Sequence, residues 1–213
     1  MKFLHAADVH LDSPLRGLER YEGAPAEEIR SATRHAFDNL VGLAIEENVS
    51  FILLAGDLYD GDWKDYNTGL YFISRMQQLE SAGIRVFIVA GNHDAASQIT
   101  RQLRVPDNVT LFSTSKPETI VLEGPGLAIH GQGFAKRELT EDLSSGYPQA
   151  DPHRFNIGLL HTCLDGKPGH EPYAPCTVDG LRSKGYQYLS LIHISEPTRL
   201  GMLSRMPSSA GKE

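Results

Sequence analysis

Three short apolar runs constrain the fold of this chain more than any other feature of its sequence. They span residues 3–7, 51–55 and 85–90, and each has the length of a β-strand. Two segments with apolar residues at helical spacing, about 26–47 and 66–82, separate these runs. The order strand, helix, strand, helix, strand is typical of a parallel sheet with right-handed crossovers. The sequence therefore predicts an α/β fold.

Each of these runs ends in polar residues, at the position where parallel sheets bind ligands. Asp8 and His10 follow the first run, Asp57 follows the second, and Gly91, Asn92, His93 and Asp94 follow the third. A polar loop after a single strand is usually only a turn, but the same design occurs three times here. Because the carboxyl ends of parallel strands meet at one edge of a sheet, we expect these side chains to converge.

A fourth run, residues 154–160, leads into His161 in the same way. The predicted set thus mixes carboxylate, imidazole and amide donors without a thiolate. Such a mixture suits manganese, iron or zinc in a two-metal site better than calcium or a structural zinc. Asp57 is central in the set and could bridge two ions about 3.5–4 Å apart.

A group of short strands lies between the third and fourth polar clusters. Residues 109–112, 119–122 and 127–130 are apolar segments separated by turn signals, and they predict a second sheet packed against the first. Two sheets with the helices outside form a layered α-β-β-α sandwich.

Taken together, the motifs resemble those of the calcineurin-like metallophosphoesterases. The resemblance is carried by D-x-H at residues 8–10, G-D at 56–57, G-N-H-D at 91–94 and a later histidine after a strand. Each motif alone is a weak signal, whereas their combination is highly specific. The resemblance covers roughly residues 1–188.

Longer stretches narrow the resemblance to the SbcD-type branch of DNA-repair exonucleases, particularly its YhaO-like members. The similar stretches are DVHLD at 8–12, GDLYD at 56–60, LHT at 160–162 and DGKPGHEPYAPC at 165–176. The resemblance implies the layered sandwich and a centre that holds two divalent metal ions, with manganese as the expected metal.

The resemblance also implies a role for each polar residue. Asp8 and His10 would hold the first ion, Asp57 would bridge, and Asn92 and His161 would hold the second. His93 would not ligate a metal but would protonate the leaving oxygen. Asp94 would orient the His93 imidazole, with a turn-capping carboxylate as the open alternative.

The activity implied is hydrolysis of a phosphodiester by a metal-activated water, most specifically by a DNA exonuclease that acts in DNA repair. In the family, such nucleases work with an ATPase partner subunit and often form homodimers. Two alternatives stay open. One is a phosphoesterase for another substrate, such as a nucleotide or a phosphoprotein, and the other is an inactive truncated fragment that only binds a partner.

The family pattern breaks near the end of the chain. The family completes its site with Gly-His-x-His after one more strand, whereas here His193 stands in register with the first histidine and Ser195 with the second. Residues 190–199 resemble the conceptual translation of sequencing-adapter DNA. We therefore expect a metallophosphoesterase domain at 1–188, incomplete at its C-terminal end, and a foreign tail at 189–213. A native but divergent terminus is the alternative.

The net charge of −7 argues against a protein that binds nucleic acid indiscriminately. It does not exclude DNA as a substrate, because several of the acids are proposed ligands and bound cations would reverse the local potential. Candidate phosphate contacts, with solvated surface charges as the alternative, are Arg16, Arg20, Arg101, Arg104, Lys136 and Arg137.

Several sequence features indicate the location of the protein in the cell. The apolar runs are too short to span a bilayer, and the first residues lack the pattern of a secretion signal. Cys163 and Cys176 form neither a metal-type pair nor a disulfide framework. We therefore expect a cytoplasmic protein without membrane association.

Overall fold

The structure is a computed structural model that describes residues 1–13, 26–59, 66–96, 104–164 and 174–191. Within these ranges, eight strands form two four-stranded sheets, and no helix is long and apolar enough to cross a membrane. Some of the residues singled out in the sequence lie outside the described ranges, namely Arg16, Arg20, Arg101, 165–173, His193 and Ser195.

The first sheet is parallel throughout. Its strands, in spatial order, are β1 (Phe3–Ala6), β2 (Phe51–Ala55), β3 (Arg85–Val89) and β4 (Val109–Leu111). The helices that accompany it are α1 (Ala26–Glu46), α2 (Tyr66–Ser81) and the short α3 (Asn92–Ala96). Every residue of β2 is buried, which accounts for its continuous apolar sequence. The predicted strand-helix order and the parallel sheet are confirmed.

Strand β4 differs from the prediction, which placed residues 109–112 in the second sheet. Val109 instead lies opposite Val86, so β4 extends the first sheet beyond β3. Parallel neighbours need a connection of about a dozen residues or more, and residues 90–108 are long enough to supply one. Periodicity identifies a strand, but it does not identify the sheet that the strand joins.

The second sheet combines one antiparallel hairpin with parallel strands. Its strands are β5 (Glu118–Leu122), β6 (Leu127–Gly131), β7 (Phe155–Leu160) and β8 (Tyr188–Leu191), in that spatial order. β5 and β6 are antiparallel, whereas β6, β7 and β8 are parallel. Helix α4 (Val178–Ser183) precedes β8 and begins at Thr177, whose hydroxyl accepts a hydrogen bond from the Gly180 N–H.

Neighbouring side chains of β2 point to opposite faces of the first sheet, and their contacts show which layer lies on each face. Leu53 of β2 lies in one apolar cluster with Ile157 of the second sheet, so this face of β2 forms the core between the sheets. Its neighbour Leu54 lies in another cluster with Met76 of α2. On the outer side of the second sheet, Leu181 of α4 packs against β7 and β8. The α-β-β-α sandwich predicted from the sequence is confirmed.

Strand β8 pairs with β7 along its whole length, and Leu191 lies opposite Leu160. Residues 189–191 are therefore part of the second sheet, although the sequence assigns them to the tail. The expected domain boundary at residue 188 and the foreign origin of the tail stay predictions.

His130 on β6 is a buried histidine with a partner on each ring nitrogen. Its Nδ1 lies 2.8 Å from Thr119 Oγ1, and its Nε2 lies 3.1 Å from Asn156 Oδ1. The ring stacks on Tyr186 at a centroid distance of 4.6 Å. Burial lowers the pKa of His130, against weaker opposing effects of Asn156 and Asp151. Burial therefore favours the neutral form of the imidazole.

The lowered pKa of His130 predicts that acid weakens the fold. Burial also lowers the pKa of His5, so below the ordinary histidine pKa of 6.5 the unfolded chain binds protons that the folded chain does not. These two histidines should therefore lower the free energy of unfolding as the pH drops below about 6.5, whereas Asp94, whose pKa burial raises to about 6, acts in the opposite direction. Urea unfolding of metal-free protein across this range measures the effect.

The variants for this experiment are His130→Gln and, as a control, His153→Gln, which changes an exposed histidine. His130→Gln should flatten the pH dependence, and the control should leave it unchanged. A stability difference between wild type and His130→Gln that stays constant from about pH 8 to about pH 5 would contradict the prediction.

Candidate metal centre

The loops after β1 and β2 lie side by side at one edge of the first sheet. Backbone hydrogen bonds extend the pairing past the strand ends, from the N–H of Asp8 to the Gly56 carbonyl at 3.2 Å and from the N–H of His10 to the Asp57 carbonyl at 3.0 Å. Asp8, His10 and Asp57 have φ values of 49°, 44° and 51°, a left-handed conformation that is uncommon for residues other than glycine. Such conformations persist where the surrounding structure fixes them, and they are frequent at functional sites.

The buried carboxylate of Asp57 is oriented by the first turn of α3. Its Oδ1 accepts a hydrogen bond of 3.0 Å from the backbone N–H of His93. Its Oδ2 lies 3.6 Å from Nε2 of His161 and 3.9 Å from Nε2 of His10. One oxygen is thus fixed by the backbone, and the other faces two imidazoles. This placement agrees with the central position that the sequence predicts for Asp57.

His161 and Asn92 direct two polar atoms at the same space. His161 is fully buried, and its Nδ1 lies 3.0 Å from the carbonyl oxygen of Ala55, an atom that can only accept a hydrogen bond. In the neutral ring, Nε2 is therefore unprotonated. This nitrogen lies 2.9 Å from Asn92 Oδ1, which is also an acceptor. A positive charge between these two acceptors removes their repulsion, whether it is the proton of an imidazolium or a metal ion, and the pair therefore fits a metal site.

Asp8 completes a compact group of donors. One ligand atom each from Asp8, Asp57 and His161 lies within 4.8 Å of the others. Bonds of about 2.0–2.2 Å to two ions that lie about 3.5–4 Å apart would place the ligands of a two-metal centre at such separations. Asp57 and His161 are buried, whereas Asp8 is exposed. The donor group therefore opens towards solvent on the side of Asp8.

His10 and His93 lie next to each other at this centre. Their rings meet edge to face, with a centroid distance of 5.2 Å. On the inner side, the ring of Phe134 packs edge to face against His161 at 5.5 Å. The fold thus brings together the five predicted ligands Asp8, His10, Asp57, Asn92 and His161, with His93 beside them. Their individual roles stay predictions.

The carboxylate of Asp94 braces the backbone beneath the centre. Its Oδ2 accepts hydrogen bonds from the N–H groups of Gly91 and Leu58 at 2.9 and 3.2 Å, and its Oδ1 accepts one from Tyr59 at 2.9 Å. Burial raises the pKa of Asp94 to about 6, in opposition to these three hydrogen bonds, and the charge of Asp57 adds to the increase. These contacts are those of the turn-capping alternative, while a role in orienting His93 stays a prediction.

Gly91 is required by the close approach of the second and third loops. A Cβ atom at this position would lie 2.2 Å from Asp57 Oδ1 and 2.6 Å from the Asp57 backbone nitrogen. Real atoms cannot approach so closely, so any larger residue would displace the carboxylate.

Sequence reasoning missed a second carboxylate that supports the centre. Asp12, at the end of the first loop, is buried and bonded to Arg34 of α1 and Thr68 of α2. Asp12 belongs to the DVHLD motif, which is the one signal in the sequence that marks it. Arg34 and Thr68 are ordinary helix residues in the sequence, and only the packing of the helices reveals their contact with the loop.

Comparisons with known proteins agree with this arrangement. Residues 1–174 match the family described as calcineurin-like phosphoesterases. The chain is 36% identical over 197 residues to a protein of Bacillus subtilis (strain 168) named uncharacterized metallophosphoesterase YhaO, a match that covers 91% of this chain and 48% of that protein.

Two archaeal proteins named DNA double-strand break repair protein Mre11 are more distant relatives. The protein of Sulfurisphaera tokodaii is 28% identical over 199 residues, which are 90% of this chain and 48% of the relative. The protein of Methanopyrus kandleri is 24% identical over 218 residues, covering 93% and 45%. The chain therefore spans about half the length of the curated relatives that it matches.

The close approach at Gly91 leads to a prediction for metal binding. Gly91→Ala should weaken manganese binding by roughly 10–100-fold, because its methyl group would push the Asp57 carboxylate away from the His93 N–H. Isothermal titration calorimetry measures the affinity.

Gly42→Ala is the matched control, since a Cβ on this α1 glycine would meet nothing within 4 Å. It should leave metal binding unchanged and stabilise the helix by about 0.5–1 kcal/mol. A Gly91→Ala protein that binds manganese as tightly as the Gly42→Ala protein would contradict the prediction.

Proposed function

This chain belongs to the calcineurin-like phosphoesterases, a family of hydrolases, and on that premise we propose that it is a metal-dependent phosphodiester hydrolase, specifically a DNA exonuclease of the SbcD type that acts in DNA repair. The proposal rests chiefly on the group formed by Asp8, Asp57 and His161, whose ligand atoms lie within 4.8 Å of one another. A family match over residues 1–174 places this group within the part of the chain that defines the family.

Members of the family bind divalent metals, and the donor set of this chain fits such ions. In the proposal, Asp8 and His10 hold one ion, Asn92 and His161 hold the other, and Asp57 contacts both. The oxygen and nitrogen donors suit manganese, iron or zinc, and we propose manganese because of the resemblance to the SbcD-type nucleases. When bound, the ions lower the pKa of a water molecule and neutralise charge on the phosphate.

His93 is the proposed general acid. It is only partly buried and stands beside His10 at the open side of the centre, where a substrate phosphate would lie. A protonated imidazole can give its proton to the leaving oxygen. In this proposal the backbone N–H of His93 holds Asp57, and the ring transfers the proton.

Two observations support DNA as the substrate. The first is the similarity to proteins named for DNA double-strand break repair. The second is the position of Lys136 and Arg137, which are exposed on a loop anchored beside the centre. At one end of this loop, Phe134 donates its N–H to the Ala90 carbonyl at 2.8 Å and packs against His161. Cations at this rim are suited to contact the phosphates next to the scissile bond.

The resemblance to SbcD-type nucleases extends the proposal to partners. We propose that the whole protein works with an ATPase partner subunit, forms a homodimer and is located in the cytoplasm. The experiments below address the chain itself.

The first experiment compares two substrates in the presence of manganese. The proposal predicts degradation of linear duplex DNA, measured by release of acid-soluble nucleotides, together with hydrolysis of bis-p-nitrophenyl phosphate, a phosphodiester without bases. Hydrolysis of the small diester without loss of DNA would favour a phosphoesterase for another substrate. Two bound ions with neither activity would favour a fragment that only binds a partner.

The second experiment separates metal binding from proton transfer. His93→Ala should reduce turnover by about 10²–10⁴-fold, the usual contribution of a general acid. Manganese binding should be nearly unchanged, since alanine keeps the backbone N–H that holds Asp57. His153→Ala, which removes an exposed imidazole before β7, is the control and should keep full turnover. Loss of manganese binding in His93→Ala would contradict the role assigned to His93.

A further inference from the structure

Asp12 is a buried carboxylate that takes no part in the proposed chemistry. Arg34 of α1 donates to it twice, from Nε to Oδ1 at 2.7 Å and from Nη2 to Oδ2 at 2.5 Å. The hydroxyl of Thr68, on α2, donates to Oδ2 at 2.6 Å. Two parallel N–H bonds from a guanidinium define both the position and the plane of a carboxylate. The pair of helices therefore fixes the end of the first loop.

The segment that ends at Asp12 is the one that carries Asp8 and His10. Asp12 has a φ of 53°, so three residues of this short segment are in the left-handed conformation. The backbone N–H of Asp12 also donates to Thr33 Oγ1 at 3.3 Å. An extended segment would place these side chains differently, so the conformation that directs Asp8 and His10 has to be held by its surroundings.

We propose that Arg34 and Thr68 are positioning residues: through Asp12 they hold residues 8–12 in the conformation that directs Asp8 and His10 at the first metal ion. This inference rests on the proposed function, since it concerns one of the two ions. It assigns to α1 and α2 a task beyond covering the first sheet. Arg34 and Thr68 contact neither metal nor substrate in this role.

The same two helices contain a comparable ion pair that does not reach the loop. Arg75 of α2 pairs with Asp38 of α1, and the hydroxyl of Tyr71 donates to Asp38 at 2.7 Å. The guanidinium groups of Arg34 and Arg75 both lie over the Tyr71 ring, 4.8 and 4.7 Å from its centroid. Removal of Arg75 therefore disturbs the packing of α1 against α2 to a similar degree, which makes Arg75→Met the matched control for Arg34→Met.

Manganese titration tests the effect on the metal. Arg34→Met should weaken the binding of the ion held by Asp8 and His10 by roughly 10–100-fold, the usual effect of losing a residue that orients a ligand. The ion held by Asn92 and His161 should bind as in the wild type. Calorimetry resolves the two steps, and electron paramagnetic resonance distinguishes paired from single manganese ions.

The Thr68 variants separate the hydroxyl from the volume of the side chain. Thr68→Val keeps the shape of the side chain but removes the donor to Asp12, so it should also weaken the binding of the ion held by Asp8 and His10. Thr68→Ser keeps the donor and should restore wild-type affinity. Arg75→Met should lower the unfolding temperature without selective loss of either ion.

Hydrogen exchange supplies a readout that needs no metal. The N–H groups of His10 and Leu11 donate to the Asp57 and Leu58 carbonyls at 3.0 and 2.9 Å. In metal-free Arg34→Met these two amides should exchange faster than in the wild type, while the amides of β3 should not change. In Arg75→Met the His10 and Leu11 amides should stay protected.

The outcomes distinguish this inference from the proposed function. If the wild-type protein binds fewer than two ions, the proposed two-metal centre is wrong. The exchange rates of His10 and Leu11 would then be the one test of the role of Arg34. Unchanged exchange at His10 and Leu11 in Arg34→Met would overturn the inference. Equal weakening of both ions, or the same effect in Arg75→Met, would overturn it as well.

Discussion

The candidate centre depends on the contacts of the Asp57 carboxylate, because its two oxygens have different partners. Oδ1 is fixed by the backbone N–H of His93, and Oδ2 faces the imidazoles of His10 and His161. The parallel arrangement makes this possible, since β1, β2 and β3 end at one edge of their sheet and β7 brings His161 to the same edge from the other sheet. The four loops of the centre thus meet because the carboxyl ends of β1, β2 and β3 lie beside that of β7.

Close approach of these loops explains the backbone conformations around the centre. Asp8, His10 and Asp57 adopt left-handed angles, and neither Gly56 nor Gly91 has room for a Cβ atom. Left-handed residues other than glycine cost energy, so neighbouring hydrogen bonds must hold them. Here the pairing of the β1 and β2 loops does so, supported by apolar clusters on both faces of the first sheet. The stable sheet core thereby maintains the strained segment that carries the polar groups.

The sequence predicts the parts of this structure that depend on local pattern. Apolar runs with polar ends predicted the strands, and parallel topology predicted that Asp8, Asp57 and Asn92 would meet, whereas His161 reaches them from the second sheet. The sheet joined by β4 and the backbone contacts of Asp94 depend on the path of distant segments, which a local pattern does not contain. The bond between Asp12 and Arg34 is of the same kind, since it joins a loop to a helix across the fold. The sequence thus predicted which polar side chains come together, whereas it did not predict the contact of Asp12 with Arg34, and the roles of the donors stay predictions.

Charge distribution connects metal binding to the approach of an anionic substrate. The charge of Asp12 is balanced by Arg34, and that of Asp94 is stabilised by three backbone N–H groups. Asp8, by contrast, is exposed at the open side of the centre and Asp57 is buried within it, and both carboxylates add negative potential there. A phosphate would be repelled there until divalent cations reverse the local field. Under the proposed function, the ions would therefore have to bind before DNA, because chain and substrate are both acidic.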